Sequence, residues 1–413
     1  MQKPENMYPD IMYWEERYRT VRQPRLGPVL TGFNVNIDRI VTVDHALLES
    51  PALHAGSLRD LRERLVRSME QCTAAEWIIG DLLVYRDITE FFSRSGTPAL
   101  GGQAGIAACH LAALGAPDVL CIAPSLGPEE ARLLRQGGVT LAGPESPGGA
   151  VHTILEYSPG LVPLMEGAVP RNNRFIVSPR KSSGNTLLPD DVMSALLPKI
   201  SACSHAFLSG YQYLSTDREF RQGAAQIRAM KQANHDLRVH IECVSATDPA
   251  VNAGIVRHIL PAADSAGMNE NELSLLLGRP AGPSPEALVR DMIGLADRTG
   301  LARIHLHTFG YYLAIQRNDC TIPEVSQDCL LFAARTAAAY AGGTGSSVTP
   351  SGLRAVNQVA SVFDAGEIPG ISTRGTYLIL GIPALVATGI TKTVGLGDVI
   401  SSTAFAAEPF RHV

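Results

Sequence analysis

The sequence predicts an α/β protein built on a mainly parallel sheet flanked by helices, with a second, smaller, β-rich layer inserted into it. Short apolar runs alternate with amphipathic segments rich in Ala, Leu and Arg, and two stretches interrupt this alternation. Strands buried on both faces read as continuous apolar runs. Their alternation with helices indicates right-handed βαβ crossovers. The 413 residues suffice for two domains, or for one large domain with an inserted lid.

The elements of the main layer follow in order along the chain. The first strand is predicted in VLTGFNVNIDRI, and the later ones in VLCIA at 119–123, HAFLSG at 205–210, RVHIECV at 238–244 and ARIHLHTF at 302–309. Helices are predicted over 105–114, 217–233, 285–299, 327–341 and 398–407. In such open sheets, ligands bind beyond the carboxyl ends of the strands, so functional residues are expected just after each strand.

Two stretches form the predicted lid. The first comprises residues 41–95, between the first strand and the glycines of ALGGQAGIAA. In the second, AVHTILEYS and RFIVS are predicted to form a hairpin around LVPLMEGAVPRNN. We therefore predict a large domain over 1–40, 96–150 and 181–413, and a small lid domain over 41–95 and 151–180.

Composition excludes several classes of function. The 35 basic and 40 acidic side chains give a net charge of −5, whereas nucleic acids and anionic membranes require a dense basic face. No apolar run approaches the ~20 residues that cross a bilayer, and the N-terminus has no apolar core after a basic start. The seven cysteines form no C-x-x-C pair, which is typical of a reduced compartment without disulfides or a zinc site. These features predict a cytoplasmic protein, with a monomer as the default.

The strongest local signal is Gly395-Leu396-Gly397-Asp398, followed by VISSTAFAA. Two glycines let the backbone approach a ligand, and the N-terminal amides of the following helix attract a phosphoryl group. A carboxylate at that point can accept a proton from a hydroxyl while the amides stabilise the transferred charge. On its own, the pattern equally fits a helix with an Asp cap after a glycine turn.

Two acidic motifs lie at other predicted strand ends. His240 and Glu242 project from one face of the RVHIE strand, and Asn269 and Glu272 share a face of the helix that begins at NENE. Carboxylates at these positions can hold hydrated Mg²⁺, which keeps several waters and binds through one or two carboxylates and phosphates. The alternatives are structural: a buried His240–Glu242 pair, and an Asn269–Glu272 capping box.

The ordered set HIE, NENE and GLGD resembles the ADP-dependent glucokinase and phosphofructokinase family of the ribokinase superfamily. The resemblance extends to GFNVNID at 32–38, GGQAG at 101–105, VHTILEY at 151–157, NRFI at 173–176 and IHLHTFGY at 304–311. These landmarks run in family order from about residue 28 to 405. The resemblance implies a ribokinase-like fold with a β-rich lid, MgADP as phosphoryl donor and AMP as a product.

The resemblance also implies a role for each matching residue. Asp398 is the implied catalytic base, and Arg174 in the lid hairpin is implied to reach the nucleotide phosphates, although its alternative is an ordinary exposed arginine. The implied anion hole is Gly395, Leu396 and Gly397; the implied Mg²⁺ residues are Glu242, Glu272 and Asp398; the implied nucleotide residues are Asn269, His305 and Val394.

The implied acceptor residues are polar side chains and glycines that can grip vicinal hydroxyls. Asp38 has the alternative of a turn residue, and His152 that of a structural histidine in an alternating strand. Gln103 departs from the Asn that many family members carry, and the predicted lid is short. The implied set is Asn36, Asp38, Gly102, Gln103 and His152.

The family divides between glucose and fructose 6-phosphate, and the sequence carries both signals. Glu76 falls near a sugar-binding glutamate of the glucose-using members, where a carboxylate repels a sugar phosphate. Arg180 and Lys181 lie near a phosphate-binding arginine of the phosphofructokinases, or are a solvated loop pair. The lysine expected near residue 147 is replaced by ESPGGA. A neutral, glucose-type acceptor is slightly favoured.

Alternatives remain at the level of function. One is a kinase for a specialised polyol or nucleoside, and another is a non-catalytic sugar or nucleotide sensor on the same fold. A dehydrogenase is disfavoured because GGTGSS at 342–347 and GLGDVI at 395–400 lack the G-x-G-x-x-G pattern. No P-loop motif occurs. The residues alone do not separate ADP from ATP.

Overall fold

The computed structural model describes residues 9–72, 75–144, 150–161, 169–170, 172–181, 183–319, 322–342, 345–392 and 394–409. Within these residues the strands are β1 Val29–Gly32, β2 Asn36–Thr42, β3 Ala75–Ile79, β4 Thr97–Gly101, β5 Val119–Ile122, β6 Thr140–Ala142, β7 Val151–Tyr157, β8 Asn173–Pro179, β9 His205–Leu208, β10 Arg238–Glu242, β11 Ser265–Met268, β12 Arg303–His307, β13 Tyr311–Arg317, β14 Gly345–Val348, β15 Asp364–Ala365, β16 Ile371–Arg374, β17 Tyr377–Pro383 and β18 Leu385–Thr388.

The α-helices of the same residues are α1 Ile11–Thr20, α2 His45–Leu48, α3 Gly56–Gln71, α4 Leu82–Phe91, α5 Gln103–Ala113, α6 Pro128–Gln136, α7 Asp190–Ile200, α8 Asp217–Ala233, α9 Pro249–Gly254, α10 Glu270–Leu277, α11 Pro285–Thr299, α12 Pro323–Tyr340, α13 Pro350–Val362 and α14 Leu396–Ala407. Short 3₁₀ segments lie at Pro51–His54, Ser183–Asn185, Tyr211–Tyr213 and Leu260–Ala262, with a π-helical turn at Ile255–Ile259.

The large sheet is an α/β layer of eleven strands, in the order β15-β16-β17-β13-β12-β11-β10-β9-β1-β5-β6. The seven strands from β12 to β6 run parallel, and β13, β17, β16 and β15 complete the sheet with antiparallel pairings. Six of these parallel strands are buried along almost their whole length, and the edge strand β6 is partly exposed. The α/β class with a mainly parallel sheet is thus confirmed.

The smaller sheet has five strands in the order β3-β8-β7-β2-β4. Helix α3 packs on it through Leu61, Leu65 and Met69, which join Phe175 and Val177 of β8 in a hydrophobic core separate from that of the large sheet. The insertion is therefore β-rich, as predicted, and has its own packing. A ribbon of β14 and β18 stands apart from both sheets.

The strand pairing draws the boundary of the smaller sheet differently from the predicted division. Residues 36–40 and 97–101, which were assigned to the large domain, belong to β2 and β4 of the five-stranded sheet. The predicted first strand divides into β1 in one sheet and β2 in the other. The chain turns between them because Phe33 N donates to Ser209 O and Asn34 O accepts from Ala104 N, so neither sheet ladder continues through this point.

Helix α14 carries the GLGD motif and packs against α5 and α12, with β9, β10 and β12 beneath it. Its N-terminus therefore meets the carboxyl ends of the parallel strands, opposite the five-stranded sheet. None of the helices within the described residues is both long and apolar enough to span a bilayer. The six cysteines in the described ranges are free thiols, and Cys320 lies outside those ranges.

Candidate active site

A cavity of about 630 Å³ separates the five-stranded sheet from the carboxyl ends of the large sheet. Both domains contribute to its walls, so a ligand inside it would touch both. The residues predicted for acceptor, nucleotide and catalysis that line it are Asn36, Asp38, Glu76, Gly102, Gln103, His152, Arg174, Arg180, Val394, Gly395 and Asp398.

The first turn of α14 forms one end of this cavity. Gly395 caps the helix at φ +80°, where an added Cβ would also lie 2.8 Å from Ile106 Cδ1, so only glycine fits. Asp398 follows within the first turn and faces the cavity. Burial raises the pKa of Asp398 to about 7, and the charge of Arg174 opposes that rise. A carboxylate with this pKa beside free helix amides suits proton acceptance near neutral pH.

Glu242 and Glu272 lie behind this turn, outside the cavity lining. Glu242 Oε2 accepts a hydrogen bond from Ser401 Oγ at 2.6 Å and lies 3.2 Å from His240 Nε2. Asn269 and Glu272 form the reciprocal capping box of α10, with Glu272 Oε2 accepting from Asn269 N at 2.8 Å. Both structural interpretations of these motifs are therefore realised, and they hold the two carboxylates in fixed orientations.

Burial and the charge of Asp398 raise the pKa of both of these carboxyl groups. Burial, then the charge of Asp398, raises the pKa of Glu242 well above its usual range. Burial raises the pKa of Glu272 to about 7, and the Asp398 charge adds to that rise. Three carboxylates that destabilise one another's ionised forms suit a divalent cation.

The donor set fits hydrated Mg²⁺. Within the described ranges, no group of three or more His, Cys, Asp and Glu side chains converges closely enough to hold a metal alone. Mg²⁺ keeps several waters and binds through one or two carboxylates and substrate phosphates. Glu242, Glu272 and Asp398 are the residues that could hold it in this way.

The opposite end of the cavity presents polar groups of β2, β4 and β7. Asn36 Nδ2 donates to Asp38 Oδ1 at 2.6 Å, and His152 Nδ1 lies 3.9 Å from the same oxygen. Among the described residues, neither Asn36 Oδ1 nor His152 Nε2 has a hydrogen-bond partner, although both atoms are buried. Unsatisfied buried polar atoms aimed into a cavity indicate a polar ligand. Gly102, at φ +77°, leaves room because a Cβ there would collide with Asn34 O.

The pKa of Asp38 is set by its burial and by its neighbours Asn36 and Lys181. Burial raises the pKa of Asp38 to about 7, while the hydrogen bond from Asn36 and the charge of Lys181 oppose the rise. An ionised carboxylate has the lone pairs to accept hydrogen bonds from two hydroxyl groups at once.

Sequence reasoning missed a polar network beside these groups. Lys181 Nζ donates to Asn34 Oδ1 at 2.6 Å and lies 5.2 Å above the ring of Tyr213, and Asn34 Nδ2 donates to Gln103 Oε1. Burial lowers the pKa of Lys181 to about 8, although the charges of Asp38 and Glu76 oppose this. The available signal was the alternation Asn34-x-Asn36-x-Asp38 in the first strand.

Arg180 and Lys181 therefore differ in solvent exposure. Arg180 is exposed at the cavity rim, whereas Lys181 is half-buried within the network. Glu76 reaches the same part of the cavity from β3, where its Oε1 accepts from Ser178 Oγ at 2.5 Å. The part of the cavity that is predicted to bind the acceptor thus holds both carboxylates and a lysine.

Arg174 extends from β8 into the cavity wall between its two ends. Burial lowers the pKa of Arg174, and the charges of Glu156, Asp398 and Asp38 oppose this. The strand is fixed there by Asn173, whose Nδ2 donates to Cys72 O at 2.8 Å. The half-buried guanidinium is therefore presented toward Asp398 from the five-stranded sheet.

A second, apolar cavity of about 270 Å³ lies on the other side of the GLGD turn. Leu396 and Gly397 form part of its wall, and a Cβ on Gly397 would lie 2.8 Å from His307 Nε2. The other residues that line it include His307, Phe309, Tyr312, Ala337, Val386 and Ile390.

The three residues predicted to bind the nucleotide all lie outside the lining of the apolar cavity. Val394 lines the larger cavity, Asn269 caps α10, and His305 is fully buried in β12 outside both linings. His305 and His307 share one face of β12, but His307 is nearer the strand end and reaches the apolar cavity.

Comparisons with known proteins cover nearly the whole chain. A family model described as "ADP-specific Phosphofructokinase/Glucokinase conserved region" matches residues 27–407. The chain is 28% identical to the ADP-dependent glucose/glucosamine kinase of Pyrococcus furiosus, over 96% of this chain and 98% of that protein. It is 26% identical to the ADP-specific phosphofructokinase of Methanosarcina acetivorans, over 96% and 97% of the two chains. The solved structure of an ADP-dependent kinase in complex with fructose-6-phosphate and ADPβS superposes with a TM-score of 0.77 at 25% identity, over 97% of this chain and 98% of that chain.

Proposed function

Because the chain belongs to the ADP-specific phosphofructokinase/glucokinase family, we propose that it transfers the β-phosphoryl group of MgADP to a hydroxyl of a neutral hexose, with Asp398 as the general base. The family makes it an ADP-dependent sugar kinase, a phosphotransferase with a hydroxyl acceptor. The observation that carries the finer proposal is the position of Asp398. Asp398 lies in the first turn of α14, and this turn separates the polar cavity from the apolar one.

The proposed chemistry is an in-line displacement at the β-phosphorus. The acceptor oxygen forms a bond to phosphorus, its proton passes to Asp398, and the bridging oxygen leaves with AMP. The amides of the Gly395–Gly397 turn offset the charge on the transferred group, as expected for a reaction governed by positioning and charge stabilisation. When bound, Mg²⁺ would supply positive charge to the phosphates, with Glu242, Glu272 and Asp398 orienting its water shell.

Charge in the acceptor region favours an unphosphorylated hexose. Asp38, Asn36 and His152 offer paired donors and acceptors for hydroxyls, while the Glu76 carboxylate repels a sugar phosphate. The ammonium of Lys181 is already engaged by Asn34, and Arg180 is exposed at the rim. Glu76 also suits an ammonium substituent, and the Pyrococcus furiosus relative is named for both glucose and glucosamine.

The proposal is tested by product analysis with purified protein, Mg²⁺, and ADP or ATP. Acceptors would be glucose, glucosamine, fructose 6-phosphate and nucleosides, with AMP and ADP separated by chromatography. We expect AMP from ADP with glucose or glucosamine, and at least tenfold lower kcat/KM with fructose 6-phosphate, about 1.4 kcal/mol. Preference for fructose 6-phosphate would overturn the acceptor assignment. Turnover of a nucleoside alone would favour the specialised-acceptor alternative, and tight binding without AMP would favour a sensor.

The apolar cavity is proposed to hold the adenine ring. Phe309 stands at its rim and is 81% exposed, an unusual state for a large aromatic side chain. The turn that presents Phe309 is held by Thr308 Oγ1, which donates to Tyr311 O at 2.7 Å, and by Ala384 N, which donates to Gly310 O at 2.7 Å. A flat base entering the cavity would bury this ring by stacking.

Phe309→Ala is expected to raise the KM for ADP about threefold to tenfold, because aromatic stacking contributes about 0.5–1.5 kcal/mol beyond area burial. The KM for the sugar should remain unchanged, since the acceptor region lies in the other cavity. Steady-state kinetics with each substrate varied in turn measures both constants. Met12→Ala, which truncates another exposed apolar side chain that lines neither cavity, is the control. An unchanged KM for ADP would exclude Phe309 from base binding.

A further inference from the structure

Ser401 ties the catalytic helix to the acidic strand end beneath it. It lies on α14 one turn after Asp398 and is fully buried. Its hydroxyl donates to Glu242 Oε2 at 2.6 Å, and the ring nitrogen His240 Nε2 lies 3.1 Å from the same hydroxyl oxygen. One hydroxyl therefore connects the helix that carries Asp398 with the carboxylate of β10.

The neighbouring strand is shaped to accommodate this contact. A Cβ on Gly267 of β11 would collide with both Glu242 Oε2 and Ser401 Oγ, and would lie 2.7 Å from His240 Nε2. Gly267 has ordinary, non-positive φ, so backbone conformation does not demand glycine here. The space left by its missing side chain is the space in which the three polar groups meet.

The cluster is anchored on its far side as well. His240 Nδ1 lies 2.8 Å from Ser265 Oγ, which accepts from Arg303 Nη1 at 3.3 Å. Arg303 Nε in turn lies 2.9 Å from Glu408 Oε2, at the C-terminal cap of α14. The helix is thus attached to the sheet both near its start and at its end, through fully buried polar contacts.

We propose that Ser401 is a positioning residue that fixes the Glu242 carboxylate relative to Asp398 and thereby sets the affinity of the site for Mg²⁺. This inference rests on the proposed role of Glu242 in holding the hydrated ion. Groups that orient metal-binding carboxylates by hydrogen bonds commonly change metal affinity or activity about 10- to 100-fold when removed. Ser401 occupies such a position and does not itself touch either cavity.

The test compares Ser401→Ala with Ser402→Ala. Ser402 is the adjacent, equally buried serine, but among the residues that the structure describes its hydroxyl donates only to Val399 O of its own helix, at 3.3 Å. Two quantities are measured: the Mg²⁺ concentration for half-maximal rate, and Mn²⁺ binding in the presence of AMP by electron paramagnetic resonance. Ser401→Ala should raise the half-saturating Mg²⁺ about 10- to 100-fold and weaken Mn²⁺ binding similarly. Ser402→Ala should change neither by more than about twofold.

A double variant separates positioning from a general packing effect. If Ser401 acts through Glu242, then Ser401→Ala should add less than about threefold to the half-saturating Mg²⁺ of Glu242→Gln, because coupled residues are non-additive. Full additivity would overturn the inference. Unchanged metal affinity in Ser401→Ala, with a raised requirement in Glu242→Gln, would also overturn it while leaving the proposed function intact. Unchanged affinity in Glu242→Gln would instead refute the proposed metal role.

A second substitution at the same position tests the proposal if the alanine variant fails to fold. Ser401→Cys keeps a side chain of similar size but replaces the hydroxyl by a weak thiol donor. Its half-saturating Mg²⁺ should lie between those of the wild type and Ser401→Ala, with an unchanged thermal unfolding midpoint. Wild-type metal affinity in Ser401→Cys would contradict the need for a strong donor to Glu242.

Discussion

Asp398→Asn is expected to lower kcat by about 10³-fold, within the 10²–10⁴-fold range of general acid–base catalysis. Asparagine keeps the size of the side chain at the first turn of α14 but cannot accept the hydroxyl proton as a base. Nucleotide binding should persist, because the apolar cavity and the backbone amides of the turn are unchanged. Single-turnover AMP formation measures the chemical step, and calorimetry with AMP measures binding.

Asp248→Asn is the matched control. Asp248 also lines the larger cavity, but its Oδ1 accepts from Ala250 N at 2.8 Å as the N-cap of α9. Asparagine serves equally well at an N-cap, so kcat should change by less than about threefold. Loss of AMP binding in Asp398→Asn, or turnover close to the wild-type rate, would contradict the assignment of Asp398 as the base.

The pH dependence follows from the same residue. Burial raises the pKa of Asp398 from its ordinary 3.8 to about 7, so the ionised base is present above that pH and is lost below it. The rate should therefore fall as the pH is lowered through about 7, or through a lower value when a bound cation favours the ionised form. Asp398→Asn should lack this acidic limb of the profile.

The sequence predicted five of the parallel strands of the large sheet, because a buried parallel strand can appear as an uninterrupted apolar run, as Val119–Ile122 does. It did not predict that VLTGFNVNIDRI would divide between two sheets. From Phe33 to Asp38 the run alternates between apolar and polar residues across the point where it divides, so its local pattern fits one strand. The division depends on contacts from Ser209 and Ala104, which are distant in sequence.

In the candidate site, too, local motifs could be recognised in the sequence, whereas contacts between distant residues could not. Asp398, Asp38 and Arg174, which line one cavity in the structure, could be proposed as site residues from the sequence because short motifs surround them. The settings of Ser401 and Phe309 could not be predicted, because they depend on a partner far along the chain or on exposure at a cavity rim. The sequence groups Lys181 with Arg180, whereas its hydrogen bond to Asn34 distinguishes the two. His305 shows the converse, since a motif match brought attention to the histidine two positions before the one that reaches the cavity.

Arg174→Met is expected to lower kcat by about 10³-fold, the lower end of the effect of an arginine that stabilises charge in phosphoryl transfer. Methionine keeps an unbranched apolar stem at the cavity wall but removes the guanidinium whose charge acts on Asp398 and Asp38. The KM for the sugar should change less, because Asn36, Asp38 and His152 stay in place. Arg39→Met is the control: it removes a half-buried arginine of β2, whose Nη1 donates to Ser93 O at 2.8 Å.

The pH dependence of Arg174→Met distinguishes two origins of the loss. The charge of Arg174 opposes the raised pKa of Asp398, so its removal should move the acidic limb to higher pH. If the arginine acted only on Asp398, raising the pH well above 8 would restore kcat to near the wild-type value. We expect most of the loss to persist at high pH, because the guanidinium would also stabilise the transferred phosphoryl group itself. Full recovery at high pH would assign Arg174 the single task of tuning the base.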